Sequence, residues 1–253
     1  MSHFRATGLN NGVVVLLDTL GTKGILGKMS PEEYVEKWKH LRQYIHKQRM
    51  PSNILIRDFF LFSDTLVITL FSKNNELNMV QLLLYSTVIV KYLFYIGFKE
   101  DLLFRGVISC GEFYTNEEII IGNAIDLAAK YYEQPDWIGI SLTPESSGWL
   151  DEIIKQNQHI DFPKTDFVKY DIVYNRYFSD INAKKKITER SYAVNWIHKM
   201  YMVDYTHDQI VGKLKELKKN APNDAKIKYD RTLKFVEYCD NLITEDPDLY
   251  RKV

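Results

Sequence analysis

The chain has 253 residues, 45% of them hydrophobic, which is enough to bury one large core or a core with an appendage. Its 33 basic residues balance 33 acidic ones, so no global field favours nucleic acid and any anionic ligand must be held by a local cluster of charge. Cys110 and Cys239 lie far apart, and the six histidines form no HxH or HExxH pattern, which argues against a thiolate or imidazole metal site.

The N-terminal MSHFRATG lacks the apolar stretch of a secretory signal and predicts a cytoplasmic protein. VVVLLDTLGTKG, residues 13–24, begins as a strand with the composition of a fully buried one and then ends on Asp18. Ionised burial without a partner is costly, so this carboxylate is either capped locally or placed to hold a cation. SPEEYVEKWKHLRQYIHKQ reads as a helix in which Ser30 can cap, Pro31 fits the first turn and Glu33 completes a capping box. ILIRDFFLFSDTLVITLF gives two antiparallel strands meeting at Ser63-Asp64. A second long helix covers about residues 76–98. Its stretch VQLLLYSTVIVKYLFYIGF is about long enough to span a bilayer, but Gln81 and Lys91 interrupt it and predict a buried helix.

The strands LFRGVISCGEFY and IIIG follow, then NAIDLAAKYYEQ as a third helix, WIGISL as a strand and PESSGWLDEIIKQN as a fourth helix starting near Pro144. FVKYDIVYN and YAVNWI read as strands separated by the basic segment SDINAKKKITERS. From about Tyr205 the pattern is helical and charged, with DQIVGKLKELKK and YDRTLKFVEYCDNLI flanking a turn at NAPND. No internal repeat or low-complexity linker occurs. The prediction is one α+β unit over residues 1–204 with a C-terminal helical extension, 205–253, packed on it.

Asp18 ends one strand and Asp64 sits at a hairpin tip, both on elements expected to be neighbours in one sheet. Brought together, the two carboxylates would repel unless a divalent cation neutralised them, and hard oxygen ligands favour magnesium or manganese. Taken singly, Asp18 reads as a turn residue bonding its own backbone and Asp64 as an ordinary hairpin aspartate. GTKGILGK is not a nucleotide-binding P-loop, since five residues separate Gly21 from Gly27 and Met29 stands where a magnesium-binding Ser or Thr belongs. The turn can still offer backbone N–H groups to phosphate because it precedes a helix N-terminus.

These pieces together resemble the class III nucleotidyl cyclases. Their first metal aspartate lies in D-x-x-G followed by Phe or Thr, matched by Asp18-Thr19-Leu20-Gly21-Thr22, and their second lies in a hairpin, matched by Asp64. A strand of the form L-R-x-G-I-x-x-G follows, to which Phe104 through Gly111 is close, and then G-x-x-V-N-x-A-x-R, matched in spacing by Gly122 through Lys130. The resemblance covers roughly residues 12–197 in unbroken order. It implies a ferredoxin-like βαββαβ core with a mostly antiparallel sheet. It also implies two divalent cations, Mn2+ or Mg2+, held by Asp18 and Asp64 with Thr19 beside them, and phosphates cradled by Thr19, Leu20, Gly21 and Thr22.

The departures carry information too. Where the family has a ribose-orienting Asn and a transition-state Arg, this chain has Asp126 and Lys130, the latter keeping the charge but losing the planar fork. On their own these two would read as an exposed i,i+4 salt bridge on a helix. At the positions where purine cyclases read the base stand Phe60 and Ile119, neither able to read a purine edge by hydrogen bonding. The chain thereby looks like the bacterial pyrimidine cyclases of Pycsar anti-phage defence, with UTP as the implied substrate, and Arg57 and Tyr131 as spare polar candidates for the base. Lys184 and Lys186 stand eight and six residues before Tyr192, as the family's phosphate-binding loop lysine stands before its aromatic, although the same triplet could be a solvated surface segment. The resemblance further implies a homodimer with shared sites, Asp126 and Lys130 facing the metals of the other chain. A degenerate cyclase fold that only binds nucleotide or a partner is the alternative class. A diguanylate synthase is disfavoured because FLFSDTL lacks the G-G-D/E-E-F turn.

Overall fold

A strand with consecutive apolar side chains must be covered on both faces, and β1 (Asn10–Leu20) carries such a run at Val13 to Leu17, buried at every position. The computed structural model describes residues 9–20, 29–47, 50–62, 64–73, 76–116, 118–156, 163–178, 183–203 and 205–246. Beyond β1 the elements are α1 (Pro31–Lys47), β2 (Ile54–Phe62), β3 (Thr65–Ser72), α2 (Met79–Lys99), β4 (Leu103–Thr115), β5 (Ile120–Ile121) and α3 (Asn123–Tyr131). They continue with β6 (Gly139–Leu142), α4 (Pro144–Gln156), β7 (Phe167–Phe178), β8 (Ala183–Val194), α5 (Trp196–Met202), α6 (His207–Asn220) and α7 (Asn223–Glu245).

The sheet order is β2-β3-β1-β4-β6-β8-β7, with β5 attached to β4. β1 lies antiparallel between β3 and β4, and β3 antiparallel to β2. The first six elements therefore form a ferredoxin-like split βαβ pair, as expected. β6 joins β4 in parallel, and the β7–β8 hairpin closes the far edge. The class is α+β with a mostly antiparallel sheet.

The period of two divides β1 between two cores. Val13, Val15 and Leu17 pack with α1, α2 and the C-terminal helices, whereas Val14 and Leu16 pack with Val107, Phe113 and the apolar side of α3. α2 is the one described helix long and apolar enough to cross a membrane, yet 56% of its most apolar stretch is buried inside the protein. Phe94 of α2 stacks on Trp196 at 4.8 Å, and Lys91, the charge that interrupts it, bonds Asp166.

Two expectations are corrected. The basic segment before Tyr192 is not a loop: Lys184, Lys185 and Lys186 belong to β8, paired residue for residue with β7 from Phe178↔Ala183 to Phe167↔Val194. A complete cross-strand partner supplies the ladder, and because β8 meets β6 only at Ser141↔Ala193, the lysines stay solvated on a two-stranded arm. The apolar run YAVNWI does not continue as strand either. Asn195 accepts the His198 N–H at 3.1 Å and starts α5, ending β8 at Val194.

The C-terminal helix α7 docks at the start of β6. Phe235 of α7 meets Trp137 edge-on at 4.8 Å, and the Thr232 hydroxyl accepts the Ile138 N–H at 2.9 Å. Where β4 crosses β1, a Cβ on Gly106 would sit 2.2 Å from the Leu16 carbonyl oxygen. Gly106→Ala is expected to cost roughly 1–3 kcal/mol, the range for overpacking a core, read as a lower urea midpoint. An unchanged midpoint would refute this close approach.

Candidate active site

Contrary to expectation, Asp18 does not end the strand, since β1 pairs on through Leu20, and the register explains how β1 carries a carboxylate there. Asp18 lies directly opposite Arg105 on β4 and Thr65 on β3, on the sheet face of Val14 and Leu16. Directly opposed residues in an antiparallel pair meet side chain to side chain. Arg105 donates from Nε to Asp18 Oδ1 at 2.9 Å and from Nη2 to Oδ2 at 3.0 Å, a two-pronged fork. Its Nη1 donates to the Glu133 carbonyl at 2.9 Å, tying the sheet end to the segment after α3. Asp18 is thus paired with a guanidinium 87 positions away, a partner neither reading of its own segment named.

Asp64 closes on the same place from the hairpin: its backbone carbonyl accepts the Thr19 N–H at 3.2 Å. Burial pushes the Asp18 carboxyl above its ordinary range, the Arg105 fork opposes that, and the charge of Asp64 pushes the same way as burial. The two expected acids are therefore electrostatic neighbours, and one guanidinium does not cancel their combined charge.

Divalent-cation binding can be tested on the donor set. A carboxylate offers about four acceptor directions, and the Arg105 fork takes one edge of Asp18, leaving outer lone pairs on both oxygens. With Asp64 alongside, the donors are hard oxygens of the kind that suits magnesium or manganese. They fit a cation that shares Asp18 with Arg105. Among the described residues no cluster of three or more His, Cys, Asp or Glu side chains accompanies them.

The remaining predicted residues are spread around this centre. Thr19 is buried and Leu20 packs on the main core, while Gly21 and Thr22 lie outside the described residues. Arg57 pairs with Thr69, which in turn opposes Val14, placing it on the Asp18 face two strands away. Phe60 opposes Leu66 beside a register shift in β2, and its side chain lies outside the described set. Asp126 and Lys130 are exposed on α3, which covers that same face through Ala124, Ile125 and Ala128. They do not pair with each other as the i,i+4 reading had it: Lys130 Nζ lies 3.7 Å from Glu145 and 4.7 Å from the Tyr131 ring centroid. Neither touches Asp18 within one chain. Tyr131 is buried and donates its hydroxyl to Glu145 at 3.0 Å. Lys184 is exposed opposite Tyr177, whereas Lys186 Nζ reaches Asp136 at 3.0 Å.

Asp136 anchors a second charged cluster that sequence reasoning missed. It is bonded by Lys186 and by Arg231 of α7, whose Nη1 also donates to the Asp136 carbonyl at 3.0 Å. Burial raises the Asp136 carboxyl, but the hydrogen bonds from Lys186 and Arg231 outweigh it and hold the group below its usual range. Lys228, one turn earlier on α7, lies within electrostatic reach of Arg105, Asp136 and Asp18. A cavity of about 440 Å³ lined by Asn11, Cys110, Asn123, Glu145 and Trp149 opens at the other end of β1, away from these groups. Chemistry and charge favour the Asp18 end over that cavity.

No family model matches the chain, and no curated protein matches it. Among solved structures, a bacterial light-regulated adenylyl cyclase aligns at a TM-score of 0.40 and 10% identity, over 83% of this chain and 99% of that one. A likeness of this strength carries no functional weight.

The Asp136 cluster makes an acid-stability prediction. A carboxylate whose folded pKa is depressed contributes stability above the unfolded value of 3.8, and loses it as pH falls through the folded value. The melting temperature is expected to fall on acidification below about pH 4, and less steeply in Asp136→Asn. Parallel acid limbs for the two proteins would contradict the ion-pair account.

Proposed function

We propose that the chain is a nucleotide cyclase acting as a homodimer, with UTP as its substrate and 3′,5′-cyclic UMP and pyrophosphate as products. The observation that carries the reading is the meeting of Asp18 and Asp64 at one sheet end, on the face where α3 presents Asp126 and Lys130. In the reaction the ribose 3′-oxygen bonds to the α-phosphorus, the bond from that phosphorus to the bridging oxygen breaks, and the 3′-hydroxyl proton passes to water. Divalent cations held by Asp18 and Asp64 would lower the pKa of that hydroxyl and neutralise the triphosphate.

The chain's own groups do the rest. Lys130 of the partner chain stabilises charge on the α-phosphate, and its exposure leaves it accessible to a second copy. Asp126 accepts a hydrogen bond from a ribose hydroxyl and fixes the sugar. Lys184 or Lys186 neutralises the outer phosphates, Lys186 giving up part of its hold on Asp136 to do so. Arg57, on the Asp18 face of the sheet, is the candidate to hold a pyrimidine, whereas Phe60 is in register with Leu66 and Leu17, on the opposite face. That Asp18 and Lys130 do not touch in one chain supports sites shared between two chains. A cyclic pyrimidine messenger in bacterial anti-phage defence is the role the resemblance implies.

A second reading is favoured by the Arg105 fork and the Lys130–Glu145 pair, which engage residues that catalysis would use. On that reading the chain is a nucleotide-binding module of the same fold. Incubating the protein with each of the four labelled triphosphates and manganese separates the two, cyclic UMP being the expected main product. Asp18→Ala and Lys130→Ala should each lose at least about a hundredfold in rate, the scale of losing a charge-stabilising group, and a mixture of the two should recover activity through hybrid sites. Binding without product from any triphosphate would favour the module, and a cyclic purine would overturn the base assignment.

A further inference from the structure

The C-terminal helix α7 does more than cover a core. Its docking is fixed by three contacts: Thr232 with the Ile138 N–H at 2.9 Å, Arg231 with the Asp136 carbonyl at 3.0 Å, and Phe235 against Trp137 at 4.8 Å. Residues three and four apart share a helix face, so Lys228 lies on the face that carries Arg231 and Thr232. Its own carbonyl accepts the Thr232 hydroxyl at 2.8 Å, which holds that turn in register. The face is turned toward the sheet end where Asp18 and Arg105 meet.

The charges there, Asp18, Asp64, Asp136 and Asp224 against Arg105, Lys186, Arg231 and Lys228, balance in number but are unevenly paired. Asp18 is bonded by Arg105, and Asp136 by both Lys186 and Arg231. The further acids are Asp64 at the hairpin and Asp224, exposed in the first turn of α7. Lys228 is half-buried and its ammonium makes no hydrogen bond or ion pair with the described residues, although it stands within reach of Asp18, Asp136 and Asp224. Burial, and the charge of Arg105, depress its pKa while these acids oppose the shift. A desolvated ammonium without a bonded counterion gains more from an incoming anion than one already paired in water.

We propose that Lys228 is a binding residue for the phosphate groups of a ligand held at the Asp18 end of the sheet, so that the C-terminal helices form part of the site. The inference deepens the nucleotide reading above and rests on it for the ligand's identity, while the anion-binding claim stands on the charge census. Lysine suits this task as a compact cation that binds phosphate as a point charge. α7 is thus the element that carries a phosphate contact and the Asp136 clamp together.

The test uses the full-length chain with inorganic tripolyphosphate, followed by titration calorimetry, and compares Lys228→Met and Lys228→Arg. The wild type is expected to bind tripolyphosphate, and Lys228→Met to bind it about tenfold more weakly, the loss of one charge-assisted contact. Lys228→Arg should recover most of the affinity, with uridine binding and the melting temperature unchanged in all three. Equal affinity in the wild type and Lys228→Met overturns the inference, as does a wild type that does not bind tripolyphosphate. A drop in melting temperature with unchanged affinity also overturns it, assigning Lys228 to internal charge balance. Tripolyphosphate binding that depends on Lys228, with no cyclic product from any triphosphate, upholds it and overturns the cyclase reading alone.

Discussion

Everything at the working end of this protein is arranged around one cross-strand pair, the fork of Arg105 on Asp18. A lone carboxylate near the end of a doubly covered strand could not stay ionised, and removing one partner of a buried pair typically costs about 3–5 kcal/mol. The fork makes the acid tolerable, and by passing Nη1 to the Glu133 carbonyl it also fixes the path from α3 into β6. Asp136 lies three residues beyond Glu133, and through Asp136 the C-terminal helix is clamped. Strand end, connecting segment and outer helix are thus one electrostatic unit built on two guanidiniums, those of Arg105 and Arg231.

The two faces of the sheet have different tasks. One is filled by α1, α2 and the C-terminal helices, with aromatic stacking such as Phe94 on Trp196 and Phe235 on Trp137. On the other, α3 forms a smaller core with Val14, Leu16 and Val107 and leaves Asp126 and Lys130 in solvent. On the proposed cyclase reading, this face, with both acids and the exposed Asp126 and Lys130, is where a second copy would complete a site. The outer part of the β7–β8 hairpin sets its lysines beside that region, while Phe167, Ile172, Tyr174 and Val194 of its inner part belong to the main core.

Much of the fold was legible because its signals are local. Period-two and period-3.6 patterns placed the helices and most strands, and the motif order pointed to the ferredoxin-like core. What the sequence could not disclose was register. Arg105 was in view inside a motif, but nothing local says that it stands opposite Asp18, and the two are 87 residues apart. The same limit hid the link from Arg231 to Asp136, 95 residues away, and with it the position of Lys228 near Asp18. Lys184 to Lys186 read as loop because composition reports solvation, whereas strand formation there depends on the partner β7. YAVNWI misled for the opposite reason: its apolar run is continuous, and one capping residue, Asn195, changes strand into helix.

The central claim is that Asp18 and Asp64 together draw divalent cations to this sheet end despite the Arg105 fork. Titrating Mn2+ into the protein with 3′-deoxy-UTP, and following the free ion by electron paramagnetic resonance, tests it most directly. Saturable binding of about two ions per nucleotide site, lost in folded Asp18→Asn and Asp64→Asn, is the predicted result. Identical manganese binding in the wild type and both variants would contradict the account.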